Sequence, residues 1–335
     1  MSVSGASIIT IAEPGWSNKI EFRVGSVRAD WRVNGSGGFS ALVPAIAAWD
    51  QGIADYTDLW VRWISASGRI WGGICREVAI RFGQTVELSA TSFVDELRNI
   101  RTGVNYRQAM ASAGTIIKRA IVDAPGEFAI FDDIDTDDSG PLISTAWRAD
   151  NLFQVVDRIA RSGNQQYIDR TNDDWTRTLS VRETVGADKS ADIILIEGKH
   201  FGDGDMVIST KALANNLLAK SADADWEDAP GAIVEKTDSV EERGLRQAVQ
   251  RYYGIHSVSG LAARARQELE TMSLPRIPVS IPLRADEPQL AEIDPGDIVR
   301  LWSWSANFRG TLAISQIVED EDSGRCSLVG TAVAT

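Results

Sequence analysis

The sequence predicts an α+β, β-rich fold, with a small β-module at each end of the chain and a mixed α+β region between them. Three observations carry that expectation. Residues 7–90 consist of short period-two runs separated by Gly-rich turns, the pattern of a small barrel or sandwich. A similar pattern returns after Pro295-Gly296-Asp297. Between them, Leu152, Val155, Val156, Ile159 and Ala160 fall at helical spacing. A chain of 335 residues has room for two to three domains. Changes of pattern divide this one into 1–91 (N-terminal β-module), 92–220 (middle α+β domain), 221–274 (acidic extended segment and helix) and 275–335 (C-terminal β-module).

Taken in order, Ser7-Ile8-Ile9-Thr10-Ile11 and Lys19-Ile20-Glu21-Phe22-Arg23-Val24 read as strands, and residues 34–38 as a turn. Residues 58–64 and 70–80 form a hairpin. Gly72-Gly73 in its second strand suggests a bulge or sharp bend. Residues 92–112 are loosely helical, and the acidic segment 128–140 reads as a loop. The helix at 146–161 is expected to end at Gly163 in the left-handed conformation. A hairpin follows around Asn172-Asp173-Asp174, then strands at 193–196 and 206–208. Residues 222–242 look acidic and extended. Ser259 is a candidate N-cap for a helix to Met272 with Ala262, Ala265, Leu269 and Met272 as its buried stripe. Pro275 stops it, and the prolines of 277–283 suggest an edge strand. Strands at 297–301, 311–318 and 326–329 complete the chain. The run from Asp58 through Gly72-Gly73 resembles the run from Asp297 through Gly310: each is a hairpin with glycine early in its second strand.

Composition narrows the function. Hydrophobic residues make up 44% and charged residues 24%, so a packed core needs no staples. Nothing approaches the roughly 18 apolar residues of a membrane span, and residues 1–10 lack the layout of a secretory signal. A net charge of -13 argues against gripping nucleic acid through its phosphates and against docking on anionic membranes. Cys75 and Cys326 are too far apart in sequence for a local metal knuckle and read as small, half-buried strand residues. The two histidines, His200 and His256, lie near no nucleophile motif, which leaves no triad or multi-His metal site to assemble.

Counted from Asp133, residues 133–144 imitate a calcium loop but put Asp138 where glycine is needed and Ser144 where the bidentate Glu belongs. Gly202 and Gly204 make a turn between strands, with no phosphate-loop signature and no following helix. No catalytic residue, cofactor site or metal site is expected. The eleven tryptophans include Trp60, Trp63, Trp71, Trp302 and Trp304. These are candidates for a subunit interface, where Trp supplies much buried area. Trp302 and Trp304, two apart, would share one face of a strand.

In its order of elements, the chain resembles the tail-tip and baseplate hub proteins of long-tailed bacteriophages. The resemblance rests on the capped helix with its proline stop, the proline-rich edge strand, Pro295-Gly296-Asp297-Ile298-Val299 and the hairpin with Gly310. The helix at 147–161 with its hairpin, and the N-terminal unit with Ile70-Trp71-Gly72-Gly73, also fit. Residues 121–142 do not. The resemblance implies a structural protein of the virion tail tip, made in the host cytoplasm. It implies a homotrimeric ring with a central channel, in which two tail-tube-like β-barrel domains per chain give six similar modules and match a sixfold tube. Partners would be the distal tail protein or tail tube, the tape-measure protein and other tail-tip proteins or fibres, with no membrane anchor. DNA would pass without specific binding, and acidic residues lining the channel would repel it. The alternatives are a sixfold distal-tail ring subunit, and a carbohydrate-binding or carbohydrate-cleaving protein of host adsorption that uses its tryptophans.

Overall fold

The computed structural model describes residues 7–44, 58–81, 85–102, 106–124, 130–138, 140–147, 150–284 and 286–334. The first module contains β1 (Ser7–Glu13), β2 (Ser17–Val24), β3 (Ser26–Arg32), β4 (Gly38–Pro44), β5 (Trp60–Ile64), β6 (Ile70–Arg81) and β7 (Thr85–Ser92). Their antiparallel order is β2-β1-β5-β6-β7-β4-β3. Alternation decides which side chains go in: Val86, Leu88 and Ala90 of β7 are buried and their neighbours are not. All seven strands send residues into one core, from Ile9 and Ile11 to Trp63, Trp71 and Leu88. The sheet curls shut where Gly25, between β2 and β3, donates to the Leu42 carbonyl of β4 at 3.1 Å. That is a small closed barrel.

The middle region departs from the sequence expectation in several places. Residues 92–112 are not one helix: a 3-10 turn, Phe93–Arg98, is followed by β8 (Tyr106–Ala111). The helix α1 (Ala113–Val122) comes next, capped by Ser112. The acidic loop contains a strand, β9 (Asp133–Thr136), and β10 (Ile143–Trp147) occupies the expected start of the next helix. That helix is α2 (Leu152–Ser162), capped by Asn151. Gly163 is not left-handed (φ -83°); Asn164 is, at φ 55°. Glycine is needed at 163 because a Cβ there would collide with Ala113 of α1. The hairpin β11 (Gln166–Thr171) and β12 (Arg177–Arg182) matches expectation, and β9 adds to it in parallel.

Two short strands, β13 (Ile194–Ile196) and β14 (Asp205–Met206), come before β15 (Asn216–Ser221). Then follow β16 (Gly231–Glu235), α3 (Thr237–Arg243), β17 (Gln247–Tyr252) and α4 (Val258–Met272). The segment expected to be extended therefore holds a strand and a helix. The expected boundary at 220/221 falls inside β15, the middle strand of the sheet β16-β15-β17. Ser257, not Ser259, caps α4 by accepting from Gly260 N. Its buried stripe is Leu261, Ala265 and Leu269, one register step from the expected set at its first position.

The last module is β18 (Ile277–Arg284), a 3-10 turn Pro288–Glu292, β19 (Ile298–Ser303), β20 (Phe308–Asp320) and β21 (Arg325–Ala334). It also recruits β13 and β14, in the order β14-β18-β21-β20-β19-β13. Ile281, Leu301, Leu312 and Leu328 fill its core. The proline-bearing β18 is flanked by β21 and, over two residues, by β14. The distal part of β20 pairs with β3, Gln316 opposite Arg32 through Asp320 opposite Arg28. One sheet thus runs through both modules.

The sequence echo between the modules has a structural counterpart. Asp58 and Gly296 both have positive φ, 72° and 99°. Asp58 N donates to Cys75 O and Cys75 N returns to Leu59 O; likewise Gly296 N donates to Ile314 O and Ile314 N returns to Asp297 O. One residue later each second strand has its bulge, between Cys75 and Glu77 in β6 and between Ile314 and Gln316 in β20. The bulge in β6 is therefore not at Gly72-Gly73. Those glycines permit close approach: a Cβ on Gly72 would strike Thr171 of β11, and one on Gly73 the Thr91 carbonyl. Gly310 has the same role against the Val333 carbonyl.

Candidate functional site

The residues that combine burial with charge gather where the two barrels meet. The β5–β6 turn carries Arg69, 8% exposed, into the second barrel. Its Nη1 donates to Ser67 Oγ (2.9 Å) and to Glu319 Oε1 of β20. Its Nε and Nη2 donate to the carbonyls of Ile293 and Leu290 beside the 3-10 turn. Glu319 is 3% exposed and also accepts from Ser67 Oγ at 2.6 Å. Every donor of the guanidinium is used, which is what makes a buried charge tolerable. An open cleft of about 510 Å³ flanks this lock, lined by Trp31, Arg69, Thr171, Asp173, Asp294 and Pro295. It brings together mixed charges but no nucleophile with a base beside it.

Pro295-Gly296-Asp297 forms a second structural centre. Asp297 is 2% exposed. Its carboxylate accepts from Ala187 N at 2.8 Å and Asp294 N at 2.7 Å, and Lys189 Nζ lies at 2.8 Å. It staples the strand-like segment before β13 onto the start of β19. Gly186 and Gly296 cross there so closely that a Cβ on Gly186 would overlap the Gly296 backbone. These residues position backbone, and no reacting group is among them.

The first barrel meets the middle region through an aromatic box. Trp16 contacts Trp60 (5.1 Å between ring centroids), Phe93 (5.9 Å) and Trp175 (5.1 Å). Arg177 stacks on Trp60 at 4.1 Å and Arg62 on Trp175 at 4.2 Å. Arg177 also forks onto Asp132 at 2.8–2.9 Å, holding that carboxyl below its ordinary range. Asp135 pairs with Arg182 (2.5 Å), and Asp138 accepts from Ser112 and Thr115 at the start of α1. Asp132, just before the would-be calcium loop, and Asp135 and Asp138 within it are therefore engaged in holding β9 and α1. Among the described residues, no group of three or more His, Cys, Asp and Glu side chains is placed to hold a metal ion.

Three of the five tryptophans expected at an interface are buried within the chain. Trp60, Trp63 and Trp71 are 6%, 2% and 1% exposed. Trp63 and Trp71 fill the first barrel, and Trp60 belongs to the aromatic box. All three are spent inside the chain: Trp63 and Trp71 face the barrel core, and Trp60, on the opposite face of β5, packs against the middle region. Trp304 is 61% exposed, in the turn after β19 rather than on the strand, and Arg309 lies 5.3 Å and 5.7 Å from the Trp302 and Trp304 rings. His200 accepts from Ile196 N at 2.9 Å, and burial lowers its pKa. His256 lies 3.8 Å from Asp223. Burial raises the Cys75 thiol to about 11 and the Cys326 thiol to about 12, so neither is a ready nucleophile.

Asp169 of β11 was not singled out by sequence. It accepts from Val94 N (3.0 Å) and so caps the 3-10 turn Phe93–Arg98 from another element. Burial outweighs the hydrogen bonds from Val94 and Ser92 and raises its pKa to about 6. A carboxyl with a raised folded-state pKa holds a proton that the unfolded chain has already released. Its contribution to stability is therefore largest below the unfolded value and falls as pH rises towards 6. We expect Asp169→Asn to remove that fall. Relative to the variant, the wild type should lose on the order of 2 kcal/mol between about pH 4 and about pH 7. Denaturant melts across that range check it, and parallel curves for the two proteins would refute it.

The comparisons follow from this architecture. No protein-family model matches the sequence, and no curated protein is significantly similar to it. Solved structures do match over nearly the whole chain. A tail protein from Neisseria meningitidis MC58 superposes with TM-score 0.70 at 11% identity, covering 98% of this chain and 97% of the other. The prophage tail protein gp18 from Listeria monocytogenes EGD-e gives 0.67 at 12% identity, covering 97% and 94%. The 43 kDa tail protein of prophage MuSo2 from Shewanella oneidensis gives 0.66 at 12%, covering 99% and 97%. The fold, β-rich α+β, is the one these phage tail proteins share.

Proposed function

We propose that this protein is a structural hub subunit at the distal end of a long-tailed phage tail. Three copies form a ring with a central channel, and each contributes two equivalent barrels, so the ring adapts a sixfold tube to a threefold tip. The observation that supports this best is the repeated hairpin. The same positive-φ entry, the same reciprocal pair of backbone bonds and the same bulge recur in β5–β6 and β19–β20. Two such modules in one chain halve the number of chains needed for six positions. The fold shared with phage tail proteins supports a tail role. The charged residues at the barrel junction hold structure rather than reactants, which supports a non-enzymatic one.

In this reading the ring lies between the distal tail protein or tube on one side and tip proteins or fibres on the other. The tape-measure protein and DNA pass through the channel, unretained by a chain of net charge -13. Native mass measurement with a low-resolution image of the particle tests it. The expected result is a mass of three chains and a ring with six similar lobes. Six chains at every concentration, with no three-chain species on dilution, would instead favour the sixfold distal-tail ring, and a particle without a channel would refute both.

A further inference from the structure

The sheet β16-β15-β17 packs one face under α4; among the described residues the other is covered only at one end, where Trp226 lies over Lys220 and Arg251. Leu217 and Ala219 of β15 are buried beneath α4. On the other face, Leu218 lies opposite Ile233 of β16 and Val249 of β17, making one apolar row across three strands. Ile233 is 70% and Val249 52% exposed. An uncovered apolar row on a well-paired sheet marks a contact surface.

The charges beside the row indicate what covers it. Lys220 and Arg251 are opposite each other at one end of the face. Lys220 donates to the Trp226 carbonyl at 2.5 Å, and Arg251 to the Ala224 carbonyl at 2.8 Å. Neither has a carboxylate partner among the described residues. At the other end is Glu235, which accepts from the Asn216 amide at 2.9 Å. The face is therefore bipolar, with an acid at one end, cations at the other and the apolar row between. A surface of that kind is self-complementary under a twofold axis.

We infer that this face docks a second copy of the chain, sheet against sheet, about a twofold axis running across the strands. That rotation lays one Ile233–Leu218–Val249 row on the other. It also carries Glu235 over the partner's Gly231, one strand away from the partner's Lys220. Strand spacing of about 4.8 Å and a rise of about 3.3 Å per residue give the face roughly 240 Å². A standard interface takes about 800 Å² per partner, so the contact is reversible and concentration-dependent. In a ring, several such faces act together and tighten it.

The inference goes beyond the ring and does not depend on it. Sedimentation velocity over a micromolar to millimolar series of the full chain reads the number of chains. The expected result is doubling with concentration, from one to two or from three to six. Ile233→Asp, on an exposed position, should leave the circular dichroism spectrum unchanged and weaken doubling at least tenfold. Glu235→Lys alone and Lys220→Glu alone should each weaken it, and the two together should restore it. A wild type that never doubles overturns the inference while leaving a trimer reading intact. Doubling that persists in Ile233→Asp also overturns it, by placing the contact elsewhere. A monomer that doubles to a dimer supports the inference and refutes the ring.

Discussion

Glu319→Ala is expected to destabilise the protein by about 3–5 kcal/mol, the cost of breaking a buried ion pair on one side. The loss arises mostly in what is left behind. Arg69 would keep its place at 8% exposure with its bonds to the Leu290 and Ile293 carbonyls, but its nearest remaining carboxylate would be the half-exposed Asp294 at 3.9 Å. Arg69→Met should cost a similar amount, because Glu319 is then buried with, among the described residues, only the Ser67 side chain to donate to it. Replacing both by Met should cost much less than the two losses added, since no charge then remains buried. Guanidinium unfolding of the four proteins reads this directly. Single variants within about 1 kcal/mol of wild type would mean that the lock behaves like a surface pair and that the strand pairing of β20 with β3 alone holds the barrels.

The second large effect is expected at Asp297. Asp297→Ala removes the acceptor for two backbone N–H groups, Ala187 and Asp294, and the counter-ion of Lys189. With the site 2% exposed, water does not replace these bonds freely, and the cost should be about 3 kcal/mol or more. Asp297→Asn keeps one acceptor and should lose less. Gly186→Ala tests the same crossing through sterics: its methyl would overlap the Gly296 backbone, which cannot swing away as a flexible side chain would. Overpacking of that kind costs about 1–3 kcal/mol. Limited proteolysis supplies a local readout, because the segment before β13 should be cut first in each variant. Cleavage unchanged from wild type would show that Asp297 does not hold that segment.

What could be read from the sequence was the part set by local pattern. β7 alternates without a break, and α2 carries its apolar residues at helical spacing, so both were visible. The helix α1 was not, because its Thr115, Ile116, Ile117, Ile121 and Val122 are β-branched and weak helix formers. Its Ser112 cap and buried Ala113, Ile116, Ile117 and Ala120 were the available signal. The strand β9 was hidden by acids in it and just before it, Asp135 and Asp132, whose partners Arg182 and Arg177 lie far along the chain. The Arg69–Glu319 lock joins residues 250 positions apart, and no local pattern encodes such a pair. Tryptophan presents a different difficulty. A buried face within the chain and the contact face of a ring subunit both favour Trp, so Trp60, Trp63 and Trp71 could not be assigned from composition.

The thirteen-residue β20 pairs with β19 at its start, with β21 along most of its length and with β3 at its end. Both barrels therefore share one continuous length of backbone, and no linker lies between them at this point. In mechanical terms the pair behaves as a single stiff part. A pull that separates the barrels along β20 loads its ladder of hydrogen bonds in shear, so several bonds must fail together rather than open one after another. Force applied to one barrel reaches the other through the strand itself.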